Sequence, residues 1–252
     1  MSLHIEAWAQ LAVWVILGSV ACGYPALPRL DSVDAPPAPP VDAPPPLALD
    51  CPTYCTEIMT NCTAANLQYI DMNHCLGSCA AFVVGTSKTT DTTGDTLGCR
   101  IYHGSTPSMT IPALHCPHAG PGGDHLDLAA GTNPAFCSGA AAAPDNLCQN
   151  FCALTVKTCG TTAAPVTIGG VAITPPYTDL NACVTACAGF SKTLPYATTS
   201  KGDSLACRLN HWTNAAANAG ASPPNGTTVN LHCGHIVAVP AAGSPCNGTP
   251  SN

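Results

Sequence analysis

Six histidines fall into two copies of one spacing. The first copy reads CRIYH at 99–103 and HCPH at 115–118, and the second reads CRLNH at 207–211 and HCGH at 232–235. Imidazole is the commonest nitrogen ligand of transition metals, and two histidines three residues apart can reach one ion from a single helical turn. His103 with His115 and His118, and His211 with His232 and His235, are therefore candidate three-histidine sites for zinc or copper. A folding role competes with this reading. A histidine at a helix end can bond the last carbonyls, and one beside a cystine can satisfy loop amides. Repetition serves both, because a duplicated framework repeats its folding residues too. Covalent c-type haem needs Cys-x-x-Cys-His, which the sequence lacks; a non-covalent haem held between two histidines is the porphyrin alternative. His125, beside Asp124 and Asp127, could assist a metal in the first copy alone.

A different chemistry is offered by Gly202-Asp203-Ser204-Leu205, which resembles the nucleophile block of the GDSL esterases and lipases. The resemblance covers four residues and implies Ser204 as nucleophile, with its base in an Asp-x-x-His block near the C-terminus. No Asp or Glu follows Asp203, and Asp71-Met72-Asn73-His74, which has those letters, precedes the serine. The first copy reads GDTLGCRIYH at 94–103, with Thr96 in the place of Ser204. A helix start suits both copies, with Asp95 and Asp203 as N-caps that accept from first-turn amides. A hydrolase is thus the third functional reading, after a binding protein and a metal protein.

The elements that must position these residues are set by a duplicated cysteine framework. Cys51, Cys55, Cys62, Cys75, Cys79, Cys99, Cys116 and Cys137 belong to a first module, 51–137. Cys148, Cys152, Cys159, Cys183, Cys187, Cys207, Cys233 and Cys246 belong to a second, 148–246, and four of the seven intervals match outright. Within each module two Cys-x3-Cys segments put their cysteines on one face of a helix. Two such helices pair antiparallel, outer cysteine with outer, which predicts Cys51–Cys79, Cys55–Cys75, Cys148–Cys187 and Cys152–Cys183. The spacing resembles the twin Cys-x3-Cys helical hairpins of small disulfide-rich proteins. Taking the simplest remaining partners gives Cys62–Cys99, Cys116–Cys137, Cys159–Cys207 and Cys233–Cys246, although eight cysteines allow 105 pairings. VTIGGVAI, inserted in the second module, reads as a short hairpin around Gly169-Gly170. The expected fold class is small, disulfide-rich and mainly α, with two tandem modules of short helices and cystine-tied loops.

Composition places the chain outside the cytoplasm. Charged residues make up 8% and aromatics 5% of 252 residues, against 17 cysteines, 25 prolines and 22 glycines. Much of the apolar content is Ala and Cys, which bury little area, so covalent staples are needed and an oxidising compartment is implied. Residues 1–21 carry an apolar run ending in small residues, as an export signal does. Ser19-Val20-Ala21-Cys22 resembles a bacterial lipobox, which implies an acylated Cys22 and a membrane lipid anchor; cleavage after Ala21 by ordinary signal peptidase would leave Cys22 unlipidated. Setting Cys22 aside leaves sixteen cysteines, an even number. Residues 22–50 are proline-rich and read as a semi-rigid polyproline stalk. The net charge of −7 and the lack of a basic patch exclude a nucleic-acid partner. The expectation is a non-enzymatic, surface-anchored lipoprotein of the bacterial envelope, at the outer membrane or cell surface, or otherwise secreted. It would bind an unidentified protein or surface partner or serve the envelope structurally, with metal or haem binding as the alternative.

Overall fold

Among the described residues, aspartates cap three of the helices that carry Cys-x3-Cys. Asp50 accepts from Thr53 N at 2.8 Å and opens α1 (Cys51–Asn61). Asp71 accepts from His74 N at 3.0 Å and opens α2 (Met72–Cys79). In the second half, Asp179 accepts from Ala182 N at 2.8 Å and opens α7 (Leu180–Ala188), which faces α6 (Asn146–Cys159). Each carboxylate satisfies an amide that the first helical turn leaves without an intrahelical partner. The computed structural model describes residues 48–87, 90–124, 136–138, 146–192 and 199–249. The expected signal peptide, Cys22, nearly all of the stalk, His125 and Asp127 lie outside the described residues.

Cystines Cys51–Cys79 and Cys55–Cys75 tie α1 to α2, and Cys148–Cys187 and Cys152–Cys183 tie α6 to α7, with Cα atoms 5.6–5.7 Å apart. The helices therefore lie antiparallel, as their spacing requires. The other four expected pairs are corrected. Cys62 joins Cys116 and Cys99 joins Cys137, while Cys159 joins Cys233 and Cys207 joins Cys246. Counted along each framework, the pairing is first to fifth, second to fourth, third to seventh and sixth to eighth in both halves. The physical reason lies in the third helix of each half. α3 (Leu97–Gly104) and α8 (Leu205–Ala219) carry their single cysteine and their histidine four residues apart on one face. That face looks toward the closing segment of its half, so Cys99 meets Cys137 and Cys207 meets Cys246. The cysteine at the end of the first helix then meets α5 (Pro112–Ala119) or α9 (Gly226–His235) instead.

A short helix α4 (Thr106–Thr110) links α3 to α5. The expected hairpin is present: β1 (Thr167–Ile168) pairs antiparallel with β2 (Val171–Ala172). Gly169 and Gly170 turn the chain at φ 55° and 79°, the left-handed region in which glycine has no Cβ penalty. The mainly helical, disulfide-rich fold class holds.

The core runs through both halves, and the described residues belong to one compact unit. Tyr54, Ile58 and Ile101 from the first half share a buried cluster with Phe151, Leu209 and Trp212 from the second. Trp212 Nε1 donates to Leu154 O at 3.0 Å and Thr158 Oγ1 at 3.1 Å, which satisfies its buried polar edge. α2 lies against α8, and Arg100 and Asn150 join the halves through the Asn150 side-chain oxygen at 3.3 Å. Among the described residues no helix is long and apolar enough to cross a membrane.

Candidate metal centres

Two buried arginines fix the helices that carry the histidines. Arg100 binds Asp95 at 2.8 Å and lies 4.0 Å over the Phe82 ring; Arg208 binds Asp203 at 2.7 Å and lies 3.6 Å over Phe190. A guanidinium suits this place because its plane stacks on an aromatic face while its edges serve carboxylate and carbonyl oxygens. The arrangement corrects the expected caps. Asp95 and Asp203 turn to the arginines, and the next residue caps the helix. Thr96 Oγ1 accepts from Cys99 N at 3.1 Å, and Ser204 Oγ accepts from Cys207 N at 3.1 Å. A charge-assisted contact to guanidinium outcompetes a neutral amide for the carboxylate, and the neighbouring hydroxyl takes the amide.

With the helices held, the three histidines of each half come together. Possible ligand atoms of His103, His115 and His118 lie within 4.8 Å of one another, as do those of His211, His232 and His235. His103, in the last turn of α3, and His211, in the middle of α8, are buried, and their partners come from α5 and α9. His103 Nδ1 is 2.9 Å from His115 Nδ1, and His211 Nδ1 is 2.9 Å from His232 Nδ1 and 3.2 Å from His235 Nδ1.

The far nitrogen of each central ring fixes its tautomer. His103 Nε2 faces the Thr92 carbonyl at 3.1 Å, and His211 Nε2 faces the Ser200 carbonyl at 3.3 Å. A carbonyl only accepts, so Nε2 carries the proton and Nδ1 turns a lone pair inward. This is how protein carbonyls orient ligating imidazoles. Burial pushes His103 down to about 4, with His115 adding to the fall and the Thr92 carbonyl opposing it. Burial also brings His211 to about 4, reinforced by His235 and His232, and His232 to about 4, reinforced by His235 and His74. His235 is lowered by burial. Neutral rings are what a cation requires, since no proton has to leave first.

Nitrogens bound at 2.0–2.1 Å to one tetrahedral ion stand about 3.3 Å apart. The 2.9 and 3.2 Å separations are close to that. A hydrogen bond between two imidazoles also fits 2.9 Å, yet the single Nδ1 lone pair of His211 faces two rings, and a cation satisfies all three together. The sulfurs of Cys99 and Cys137, and of Cys207 and Cys246, lie equally near, but each pair is joined as a cystine and offers no thiolate. Haem does not fit between these rings, because a porphyrin needs a flat slot separating its two axial nitrogens, and here those nitrogens nearly touch. Ser204 is fully buried and engaged as a cap, so it lacks the exposure of a nucleophile.

Several positioning groups were not singled out from the sequence. The carbonyls of Thr92 and Ser200 each stand eleven residues before their histidine, and Phe190 stands three residues after Cys187, as Phe82 does after Cys79 on the face its spacing predicts. Tyr69 and Tyr177, both buried, each precede an aspartate cap by two residues. Tyr177 donates to Ile236 O at 2.5 Å, and Tyr69 shares a hydrogen bond with Tyr54, which donates to Ala119 O at 2.6 Å. Those carbonyls follow His235 and His118, so the tyrosines pin the ends of α9 and α5. Alignment of the two halves beyond their cysteines would have exposed all of these spacings.

Fold and sites together define a cystine-tied helical protein with two candidate centres for a transition metal. Residues 51–130 match the family model described as the BfoA family C-terminal domain. The match takes in His103, His115 and His118 and ends before Cys137. No curated protein and no solved structure matches the chain.

Proposed function

We propose that the chain is a non-enzymatic, surface-anchored bacterial lipoprotein that binds two transition-metal ions, zinc or copper, one in each half. The observation that carries the metal reading is the inward Nδ1 of His103 and of His211, each 2.9 Å from a second Nδ1 while its Nε2 is held by a carbonyl. Neutral nitrogen donors in that number favour zinc or copper over calcium or magnesium, which prefer oxygen. Eight cystines support an oxidising location, and they leave Cys22 as the one cysteine outside the paired frameworks, where a lipid anchor would sit. A frame tied by eight cystines suits a site that acquires or buffers ions at the cell surface.

Native mass spectrometry of protein extracted from membranes without chelator tests both parts. The expected mass includes about two zinc or copper ions and a diacylglyceryl group on the Cys22 peptide. His103→Ala and His211→Ala should each remove one ion. Protein that holds no ion after loading with zinc and with copper overturns the metal reading.

A further inference from the structure

The two centres share three histidines but differ in their surroundings. In the first, His103 and His118 are at most 2% exposed, and the Phe136 ring packs 5.1 Å from His103 and 4.4 Å from His118. Asp124 places a carboxylate oxygen 3.7 Å from His118 Nε2. In the second, His211 is buried while His232 and His235 are both partly buried, the class that His115 alone occupies in the first. The residue at the same distance past the second HCxH motif is Ala241, which is exposed, and the residue before the closing cysteine is Pro245 instead of Phe136. No acidic residue follows Asp203 anywhere in the chain.

We infer that the second centre, and not the first, binds a small exogenous anion on its metal. The inference rests on the metal reading above and adds what the bound ion does. An ion held by three neutral imidazoles keeps its full charge of two and an open coordination position, which is the arrangement of reactive rather than structural metal sites. At the first centre the Asp124 carboxylate cancels one unit of that charge, whether it ligates the ion or stands beside His118. One unit charge several ångströms away in a partly desolvated site is worth more than about 1.4 kcal/mol, which corresponds to about tenfold in anion affinity. The chemical class of ligand is thus a compact monoanion with a nitrogen, oxygen or sulfur donor, taken up at the metal of α8 and α9.

Cobalt(II) loaded into the full chain makes coordination visible by absorption, and azide serves as the anion. His103→Ala, which leaves the second centre, should keep the azide-induced shift of the cobalt bands. His211→Ala, which leaves the first, should lose it or need at least about tenfold more azide. Asp124→Asn, which removes the carboxylate charge and spares the histidines, should raise the azide stoichiometry from one to two per chain, with the cobalt content measured in parallel to show that both centres stay loaded. Equal azide affinity at both centres, no azide response with both loaded, or no effect of Asp124→Asn overturns the inference while leaving metal binding intact. Absence of cobalt from both centres instead removes the metal reading and this inference with it.

Discussion

At Ser204 a fully buried hydroxyl does the work of a helix cap while the adjacent Asp203, its side chain 55% exposed, serves Arg208. The division of labour sets an order of costs. Ser204→Ala leaves the Cys207 amide without its acceptor and should lower stability by about 1 kcal/mol. Ser204→Thr should change it by less than about 0.5 kcal/mol, since threonine is a comparable cap and Thr96 plays the part in the first half. Asp203→Asn should cost under about 1 kcal/mol, because a half-exposed ion pair is screened by water. Denaturant melts of the three variants check the order, and a larger loss for Asp203→Asn than for Ser204→Ala would return the cap to the aspartate. At this scale the sequence was most informative about histidine. The interval in HCxH brings two rings to one side of a helix turn, and the repeat of CRxxH points to the third. It was least informative about the cap, because Asp and Ser are equally good caps and the choice is made by a buried guanidinium five residues away. The carbonyls that fix the tautomers were hidden for a related reason: every residue has one, and only the fold selects Thr92 and Ser200.

Helix pairing was legible wherever two cysteines shared a face. A Cys-x3-Cys segment fixes the direction of both side chains, so two segments have one good antiparallel match, and the structure uses it in each half. The single cysteines carry no such orientation. Taking the simplest remaining partner gives Cys62–Cys99, a separation of 37, where the fold joins Cys62 to Cys116 across 54. Loop closure grows only with the logarithm of length, so the longer loop costs about 0.3 kcal/mol more, too little to decide against good packing. What decides is the face of α3 and α8 on which cysteine and histidine both lie. The third-to-seventh and sixth-to-eighth cystines therefore enclose the histidine clusters, with Cys116 between His115 and His118 and Cys233 between His232 and His235. Peptide mapping of unreduced protein should recover Cys62 with Cys116, Cys99 with Cys137, Cys159 with Cys233 and Cys207 with Cys246. Recovery of Cys62 with Cys99 or Cys159 with Cys207 would reject this element arrangement and the histidine geometry that depends on it.

For the molecule as a whole, the duplicated cysteine pattern suggests two beads, but the residues joining the halves are not duplicated. Gly77 in α2 stands where the second half has Thr185, two residues after the matching cysteine. A Cβ on Gly77 would lie 2.5 Å from the Ala216 carbonyl oxygen and 2.5 Å from the Ala217 Cα, both backbone atoms of α8. His74 in α2 reaches Asn214 at 3.0 Å, and Lys157 in α6 reaches the Ala81 carbonyl at 2.8 Å. These contacts make the close passage of α2 over α8 a property of the whole chain, which a repeat-by-repeat reading cannot reveal. Alanine normally stabilises a helix by roughly 1 kcal/mol relative to glycine. At Gly77 the sign should reverse, because backbone cannot step aside as a flexible side chain can, and overpacking of this kind costs about 1–3 kcal/mol. Gly104→Ala is the matched control, since its nearest neighbours are the Ala119 Cβ at 3.5 Å and the Ile58 Cβ at 3.7 Å, an ordinary contact distance. Thermal unfolding of Gly77→Ala should begin at lower temperature than the parent protein and remain a single transition, with Gly104→Ala at or above the parent. Two separate transitions in the parent, or a Gly77→Ala variant as stable as Gly104→Ala, would mean that the halves fold as independent beads.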